Sequence, residues 1–306
     1  MQAIGIVGLG RMGGNIARRL RRAGFQVFGM DHTLEVTKSL SVETGVVATA
    51  SLTDLTEQFP APRVVWLMLP AGKVTDEAIQ ELGTLLAPGD ILVDGANSFY
   101  QDTIRISKAL AESGILFVDA GVSGGIFGLE DGYCLMVGGD DNAVETIRPF
   151  LQALAPAPNR GWLHAGPPGA GHFAKMVHNG IEYGMMQALA EGLSLLKEKK
   201  EFAFDVAEVA ELWRHGSVVR SWLLDLTAQF LGKNPTLDGI APKVADSGEG
   251  RWTVIEAIEQ GVPLPAISAA LFARFSSQGK ADFAAKLLAM MRHGFGGHDV
   301  QADKSQ

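Results

Sequence analysis

An amine, an imidazole, an amide and a carboxylic acid recur along one short run: Lys175, His178, Asn179 and Glu182 stand at i, i+3, i+4 and i+7. In a helix that spacing puts all four on one face. A lysine and a glutamate two turns apart are the kinds of group that take and give a proton. Tyr183 sits at the edge of this stripe. Phe173, Met176, Val177, Ile181, Met185 and Leu189 fill much of the remaining surface, so the segment reads as a mostly apolar, buried helix. Burying charged groups without a purpose is costly, and the stripe is expected to line a cavity. Spacing alone fits an intrahelical Lys–Glu pair equally well. The breaker run Gly169-Ala170-Gly171 just ahead, where backbones pass closely, favours a site.

A second chemical signal opens the chain. Ile4-Gly5-Ile6-Val7 leads into Gly8-Leu9-Gly10-Arg11-Met12-Gly13, and a helical pattern follows. After a first strand and at the start of a first helix, GxGxxG has the context of a dinucleotide-binding turn. Gly8 permits the tight turn, Gly10 lets backbone approach a pyrophosphate, and Gly13 lets helix and strand pack closely; the helix N-terminus faces the phosphates. Asp31 follows the second strand, where a carboxylate accepts from ribose hydroxyls and repels a 2′-phosphate. NAD is therefore the preferred cofactor. NADP stays open, because Arg11, His32 and Arg18, Arg19, Arg21 and Arg22 lie nearby in sequence. The four helical arginines read as a solvated face.

The elements that must position these groups alternate. Apolar, β-rich runs at 3–7, 26–30, 64–69, 91–94, 116–120 and 133–137 are separated by helical patterns at 11–23, 75–86, 103–113 and 142–154. Such alternation predicts an α/β Rossmann domain with a doubly wound, mostly parallel sheet. Near Pro167-Pro168-Gly169 the pattern changes to helices only, at 172–199, 204–215, 222–231, 252–260 and 267–293. The expected division is a dinucleotide-binding domain, 1–167, and an all-helical domain, 168–306, for substrate and oligomerisation. Residues 294–306 are polar and glycine-rich and, taken alone, read as a loose tail.

Composition narrows the functions. The 306 residues carry a net charge of −8, which argues against a general nucleic-acid or membrane-surface binder. No apolar run approaches a membrane span, and the first residues run directly into a strand with no leader-like segment, so the protein is expected to be cytoplasmic. The single cysteine, Cys134, forms no internal disulfide, fits a reducing compartment and reads as a buried structural thiol. No His/Cys/Asp cluster has metal-ligand spacing, so no metal is expected.

Four further segments carry a resemblance: Asp94-Gly95-Ala96-Asn97-Ser98, Val122-Ser123-Gly124-Gly125, the block from Gly169 through Lys175 and His178-Asn179-Gly180-Ile181-Glu182-Tyr183, and Phe295-Gly296-Gly297-His298. With Gly8–Gly13 they make the chain, from its start to about His298, resemble the short branch of decarboxylating 6-phosphogluconate dehydrogenases. The resemblance implies oxidation and decarboxylation of 6-phosphogluconate to ribulose 5-phosphate and CO2 with reduction of NAD or NADP. It implies Lys175 as general base and Glu182 as the acid that protonates the product carbon. It implies substrate contacts from Asn97, Ser123, Gly124, Gly125, His178, Asn179, Tyr183, Arg274, Arg292 and His298. The cofactor set is Gly8, Leu9, Gly10, Arg11, Met12, Gly13, Asp31, Leu69, Pro70 and Asn97. Arg292 and His298 keep the family's tail spacing, which implies a homodimer or homotetramer in which the tail completes a neighbour's site around a small anionic sugar acid.

The chain departs from the family pattern at Ala96, which replaces a glycine, and at Ser247 and Glu249, where long-branch enzymes have a phosphate-binding Lys and a Thr. A carboxylate repels a phosphate, so the phosphate must be held differently, by Arg274, Arg251 and the tail, or the substrate is less charged. Two other readings follow: a β-hydroxyacid dehydrogenase for an unphosphorylated acid, which has no reason to keep Glu182 or His298, and a dinucleotide-binding regulator without turnover, which has no reason to keep the Lys175–Glu182 pair.

Overall fold

The computed structural model describes residues 2–301. Contacts divide the chain into two compact units, Met1–Val177 and His178–Gln306. The first unit contains β1 (Ala3–Val7), α1 (Arg11–Arg22), β2 (Gln26–Met30), α2 (Leu34–Thr44), β3 (Val47–Thr49), α3 (Leu52–Glu57), β4 (Val64–Leu67), α4 (Lys73–Leu85) and β5 (Ile91–Asp94). It continues through α5 (Tyr100–Ala111), β6 (Leu116–Ser123), α6 (Gly128–Asp131), β7 (Cys134–Gly139), α7 (Asp141–Leu154) and β8 (Trp162–Gly166). Helix α8 (Ala170–Glu198) starts in this unit and continues in the next.

The strands form one eight-stranded sheet in the order β3-β2-β1-β4-β5-β6-β7-β8. All neighbours are parallel except β6 and β7, which are antiparallel. This is the expected doubly wound, mostly parallel class. Strands β4 and β5 are buried along their whole length because helices cover both faces. Side chains alternate: Val64 and Trp66 join Ile4, Ile16, Leu20 and Phe150 on one side, while Val65 and Leu67 join Leu55, Ile79 and Leu82 on the other. The switch of strand order between β1 and β4 puts the glycine turn at the carboxyl ends of the central strands, where open α/β sheets bind ligands.

Two strands escaped the sequence pattern. β3 is only three residues long. β8 lies at the sheet edge with no fully buried residue, and Leu163 is 65% exposed, so no apolar run marks it. Cys134 is exposed, contrary to its expected burial. It opens β7, and alternation turns it away from the buried Leu135.

In the second unit α9 (Val206–Trp213) and α10 (Trp222–Lys233) pack with α8 through Leu193, Ala210, Leu224 and Leu231. Helices α11 (Glu249–Gln260) and α12 (Pro265–Ser277) meet around Tyr183, Val254, Ala270 and Leu271. The expected single helix over 267–293 is two: α12 ends at Ser277 and α13 (Asp282–Gly296) begins anew. Gly279 between them has φ +79, which a continuing right-handed helix cannot accommodate. Helix α13 also takes up the start of the expected loose tail, residues 297–301 have no regular structure, and 302–306 lie outside the described residues. No helix among the described residues is long and apolar enough to cross a membrane.

Asp90 anchors the entry to β5. It has no solvent exposure and accepts from the Arg63 N–H (2.6 Å), the Arg63 guanidinium (2.9 Å) and the Ala87 N–H (2.9 Å). Asp90→Ala leaves these donors unpaired and is expected to cost about 3 kcal/mol of unfolding free energy; a denaturant titration that finds under about 1 kcal/mol contradicts this reading of the network.

Candidate active site

The glycine turn adopts a conformation few residues tolerate. Gly8 has φ +86, and its N–H donates to the Met30 carbonyl (2.9 Å). A Cβ on Gly13 would overlap the Gly8 carbonyl oxygen, so α1 lies against the turn with no room for a side chain. A Cβ on Gly10 would meet nothing within 4 Å. Gly10 is also the N-cap of α1, makes no side-chain cap bond, and no acidic residue occupies the first turn. The positive end of the helix therefore faces open space, the arrangement a pyrophosphate needs.

That space is a cleft of about 440 Å3. Among the residues expected to hold the cofactor, Gly8, Gly10, Arg11, Met12, Gly13, Asp31, Leu69, Pro70 and Asn97 line it. Leu9 does not: it is buried, and its N–H donates to Asp31 Oδ2 (2.8 Å). Asp31 Oδ1 accepts from the Thr33 N–H (2.9 Å). Oδ1 also lies 3.1 Å from His32 Nδ1, and Oδ2 keeps further acceptor capacity. His32, Met68, Gly95, Ala96 and Val122 complete the lining; His32 and the segments holding Gly95, Ala96 and Val122 stood out in the sequence without being assigned to the cofactor, and Met68 lay within an apolar strand run.

The other four arginines of α1 are engaged elsewhere. Arg18 pairs with Glu43, Arg19 donates to the carbonyls of Ala153, Ala155, Leu129 and Glu130, Arg21 to those of Thr44 and Phe25, and Arg22 pairs with Glu130. They bind the fold together, more than the expected solvated face does. The Asn97 loop is shaped by Asp94, which accepts from the Ala96 N–H (2.9 Å) and the Ser98 hydroxyl (2.7 Å). Ala96 is buried within this turn, which accommodates its methyl.

Lys175 is 6% exposed and packs its stem on Gly121 of β6, whose chain neighbour Val122 lines the cleft. Ser123 and Gly124 are half-buried at and just beyond the end of the same strand, and Gly125 is exposed.

The second unit holds the other expected substrate residues. His178, Asn179 and Glu182 are half-buried on α8, and His178 Nδ1 lies 3.0 Å from Asn179 Oδ1. Tyr183 is buried; its oxygen accepts from the Ser247 N–H (3.2 Å) and lies 3.1 Å from Ser247 Oγ. The Arg274 guanidinium lies 3.4 Å over the Tyr183 ring, and its Nη1 donates to the Ala245 carbonyl (2.7 Å). Glu249 is buried and accepts from the Ser247 hydroxyl (2.5 Å). Burial disfavours the charge of Asp246, and hydrogen bonds from Arg251 and the Gly248 N–H outweigh it, so its carboxyl stays below the usual range. Arg292 and His298 are exposed. The later part of α8 departs from the expected burial: Ile181 is 50% and Met185 43% exposed, with no element among the described residues covering them fully.

Comparisons with known proteins agree across the chain. A family model described as the NAD binding domain of 6-phosphogluconate dehydrogenase matches residues 3–163, and one described as the 6-phosphogluconate dehydrogenase C-terminal domain matches 171–305. A Haloferax volcanii protein named as an NAD(+)-dependent, decarboxylating 6-phosphogluconate dehydrogenase is 38% identical over 97% of this chain and 98% of its own. A Bacillus subtilis protein named as the NADP(+)-dependent, decarboxylating enzyme is 40% identical over 90% of this chain, which spans 61% of that longer protein. The solved structure of Plasmodium falciparum 6-phosphogluconate dehydrogenase, described with NADP+ and with 6-phosphogluconate, superimposes with a TM-score of 0.84 at 30% identity, covering 99% of this chain and 67% of that one.

Gly13→Ala is expected to weaken binding of the reduced cofactor at least about 30-fold in a fluorescence titration, because the methyl must push α1 off the turn; a Kd near that of the parent protein contradicts the close-contact reading.

Proposed function

The chain belongs to the 6-phosphogluconate dehydrogenase family, and on that footing we propose that it oxidises and decarboxylates 6-phosphogluconate, giving ribulose 5-phosphate and CO2. The supporting observation is the buried Lys175, whose stem rests on the strand residue next to a wall of the dinucleotide cleft. Residues 1–167 are taken as the cofactor domain and 168–306 as the domain for substrate and oligomerisation.

The nicotinamide supplies a hydride acceptor. Lys175 Nζ takes the proton of the C3 hydroxyl as the C3 hydrogen leaves as hydride, so the alcohol becomes a ketone. The acid is then a β-keto acid. Its carboxylate departs as CO2, and the bonding electrons pass to the C3 oxygen. The Lys175 ammonium hydrogen-bonds that developing oxyanion and returns its proton there. Glu182, in its protonated form, delivers a proton to the carbon that becomes C1 of the product, while the neutral Lys175 amine takes back the enediol hydroxyl proton, so that the ketone re-forms.

Asn97, Ser123, Gly124, Gly125, His178, Asn179 and Tyr183 are assigned to the sugar acid. Arg274 is assigned to the phosphate, since a guanidinium offers paired donors to its oxygens. Ser247 and Glu249 cannot serve as phosphate donors in the manner of a lysine. NAD is the proposed cofactor, because Asp31 brings a carboxylate to the cleft and Arg18, Arg19, Arg21 and Arg22 are spent on Glu43, Glu130 and backbone carbonyls, which leaves Arg11 as the one α1 arginine lining the cleft. Arg292 and His298 are assigned to the neighbouring subunit's site in a homodimer or homotetramer, and the protein is placed in the cytoplasm.

The deciding experiment assays the purified protein with NAD and with NADP on 6-phosphogluconate, gluconate and 3-hydroxyisobutyrate, with CO2 measured. Turnover with CO2 release on 6-phosphogluconate and the higher kcat/KM with NAD are expected. Release of no CO2 overturns the reaction, and a clear NADP preference overturns the cofactor assignment. Lys175→Met is expected to lower kcat by at least about 10³-fold with cofactor binding near normal, and substantial retained turnover removes Lys175 from the base role. Deletion of 297–306 is expected to raise KM for 6-phosphogluconate at least about tenfold, and an unchanged KM removes the tail from the site.

A further inference from the structure

A buried carboxylate that the mechanism does not use lies beneath the helix that carries Lys175. Side chains alternate along β6, so Asp119, Gly121 and Ser123 share one face of the strand. Asp119 has no solvent exposure. Its Oδ1 accepts from the Gly169 N–H (2.7 Å) and its Oδ2 from the His172 N–H (2.7 Å), at the first turn of α8. The opening N–H groups of a helix have no partner within it and carry its positive end, so a carboxylate there is both hydrogen-bonded and charge-compensated. The His172 ring is tied in turn to the Thr103 hydroxyl (2.7 Å).

The contact is close enough to exclude side chains. Gly138 pairs with Asp119 across the β6–β7 ladder, and a Cβ there would run into Asp119 Oδ1. A Cβ on Gly171 would run into the Met136 carbonyl oxygen, and a Cβ on Gly121 into Lys175 Cβ. The helix start is thus pinned by a carboxylate at one point and by backbone contact at another, with Lys175 three residues, or about 4.5 Å of helix rise, beyond His172.

We propose that Asp119 is a positioning residue: by fixing the first turn of α8 on β6, it sets where the Lys175 amine stands relative to the nucleotide cleft. This rests on the reading of Lys175 as the base. Misplacing a reacting group by about 1 Å costs on the order of 10²-fold in rate. An asparagine at 119 keeps the shape but loses the charge, and its amide turns a donor toward one of the two N–H groups. An alanine at 121 displaces Lys175 without touching the carboxylate.

The test compares the full-length protein with Asp119→Asn, Gly121→Ala and Lys175→Met, reading kcat on 6-phosphogluconate, KM and Kd for the cofactor, and the thermal midpoint. Asp119→Asn and Gly121→Ala are expected to lower kcat at least about 30-fold while cofactor KM and Kd stay within about threefold. A fall in kcat of less than about tenfold in both, with the parent active and Lys175→Met inactive, overturns the positioning role and leaves the base assignment standing. Cofactor binding lost together with turnover in both variants makes these residues supports of the fold and also overturns it. A parent protein inactive on 6-phosphogluconate overturns the functional reading and the positioning role with it.

Discussion

Two backbone N–H groups at the start of α8 point at a carboxylate that water does not reach, and that contact governs how the chemical groups of the first unit relate. Asp119 is costly to bury alone. The helix end compensates it and, in the same contact, loses its own unsatisfied donors. Asp119, Gly121 and Ser123 follow one another along one face of β6, so the clamp, the seat for the Lys175 stem and a residue assigned to substrate are held in a single register.

The dinucleotide cleft follows the same economy of groups. Asp31 holds the glycine turn through the Leu9 N–H and still presents its carboxylate to the cleft. One side chain therefore both braces the glycine turn and lines the cleft. The guanidinium groups of Arg18, Arg19, Arg21 and Arg22 close onto carbonyls and carboxylates of their neighbours, and Arg11 lines the cleft.

In the second unit Ser247 and Glu249 are integrated into a network. Glu249 is buried and accepts from Ser247, and Ser247 contacts the oxygen of Tyr183, whose ring lies under the Arg274 guanidinium. A lysine is not needed to fill that corner. The Arg274 guanidinium is held by the Tyr183 ring and by the Ala245 carbonyl.

Much of this was legible from the residues. Uniformly apolar runs marked β1, β4 and β5, because strands covered on both faces have no polar side to show. GxGxxG marked the cofactor turn, and the i, i+3, i+4, i+7 spacing marked the stripe on α8. What escaped had no local signature. β3 is too short and β8 too exposed to show a pattern, and Gly279 split an apolar run that periodicity alone joined. Cys134 sat in an apolar run yet opens a strand on its uncovered side. The exposure of Ile181 and Met185 depends on which elements pack beside α8, which the helix itself does not encode.

Asp119 is the clearest case of what tertiary structure alone decided. The sequence determined by itself that a lysine and a glutamate share one helix and that a glycine turn opens a Rossmann sheet, since both are set by residues close together in the chain. The partners of Asp119 are main-chain N–H groups 50 and 53 residues away. Nearly every residue carries such a group, whatever its letter, so only folding decides which of them a buried carboxylate will meet.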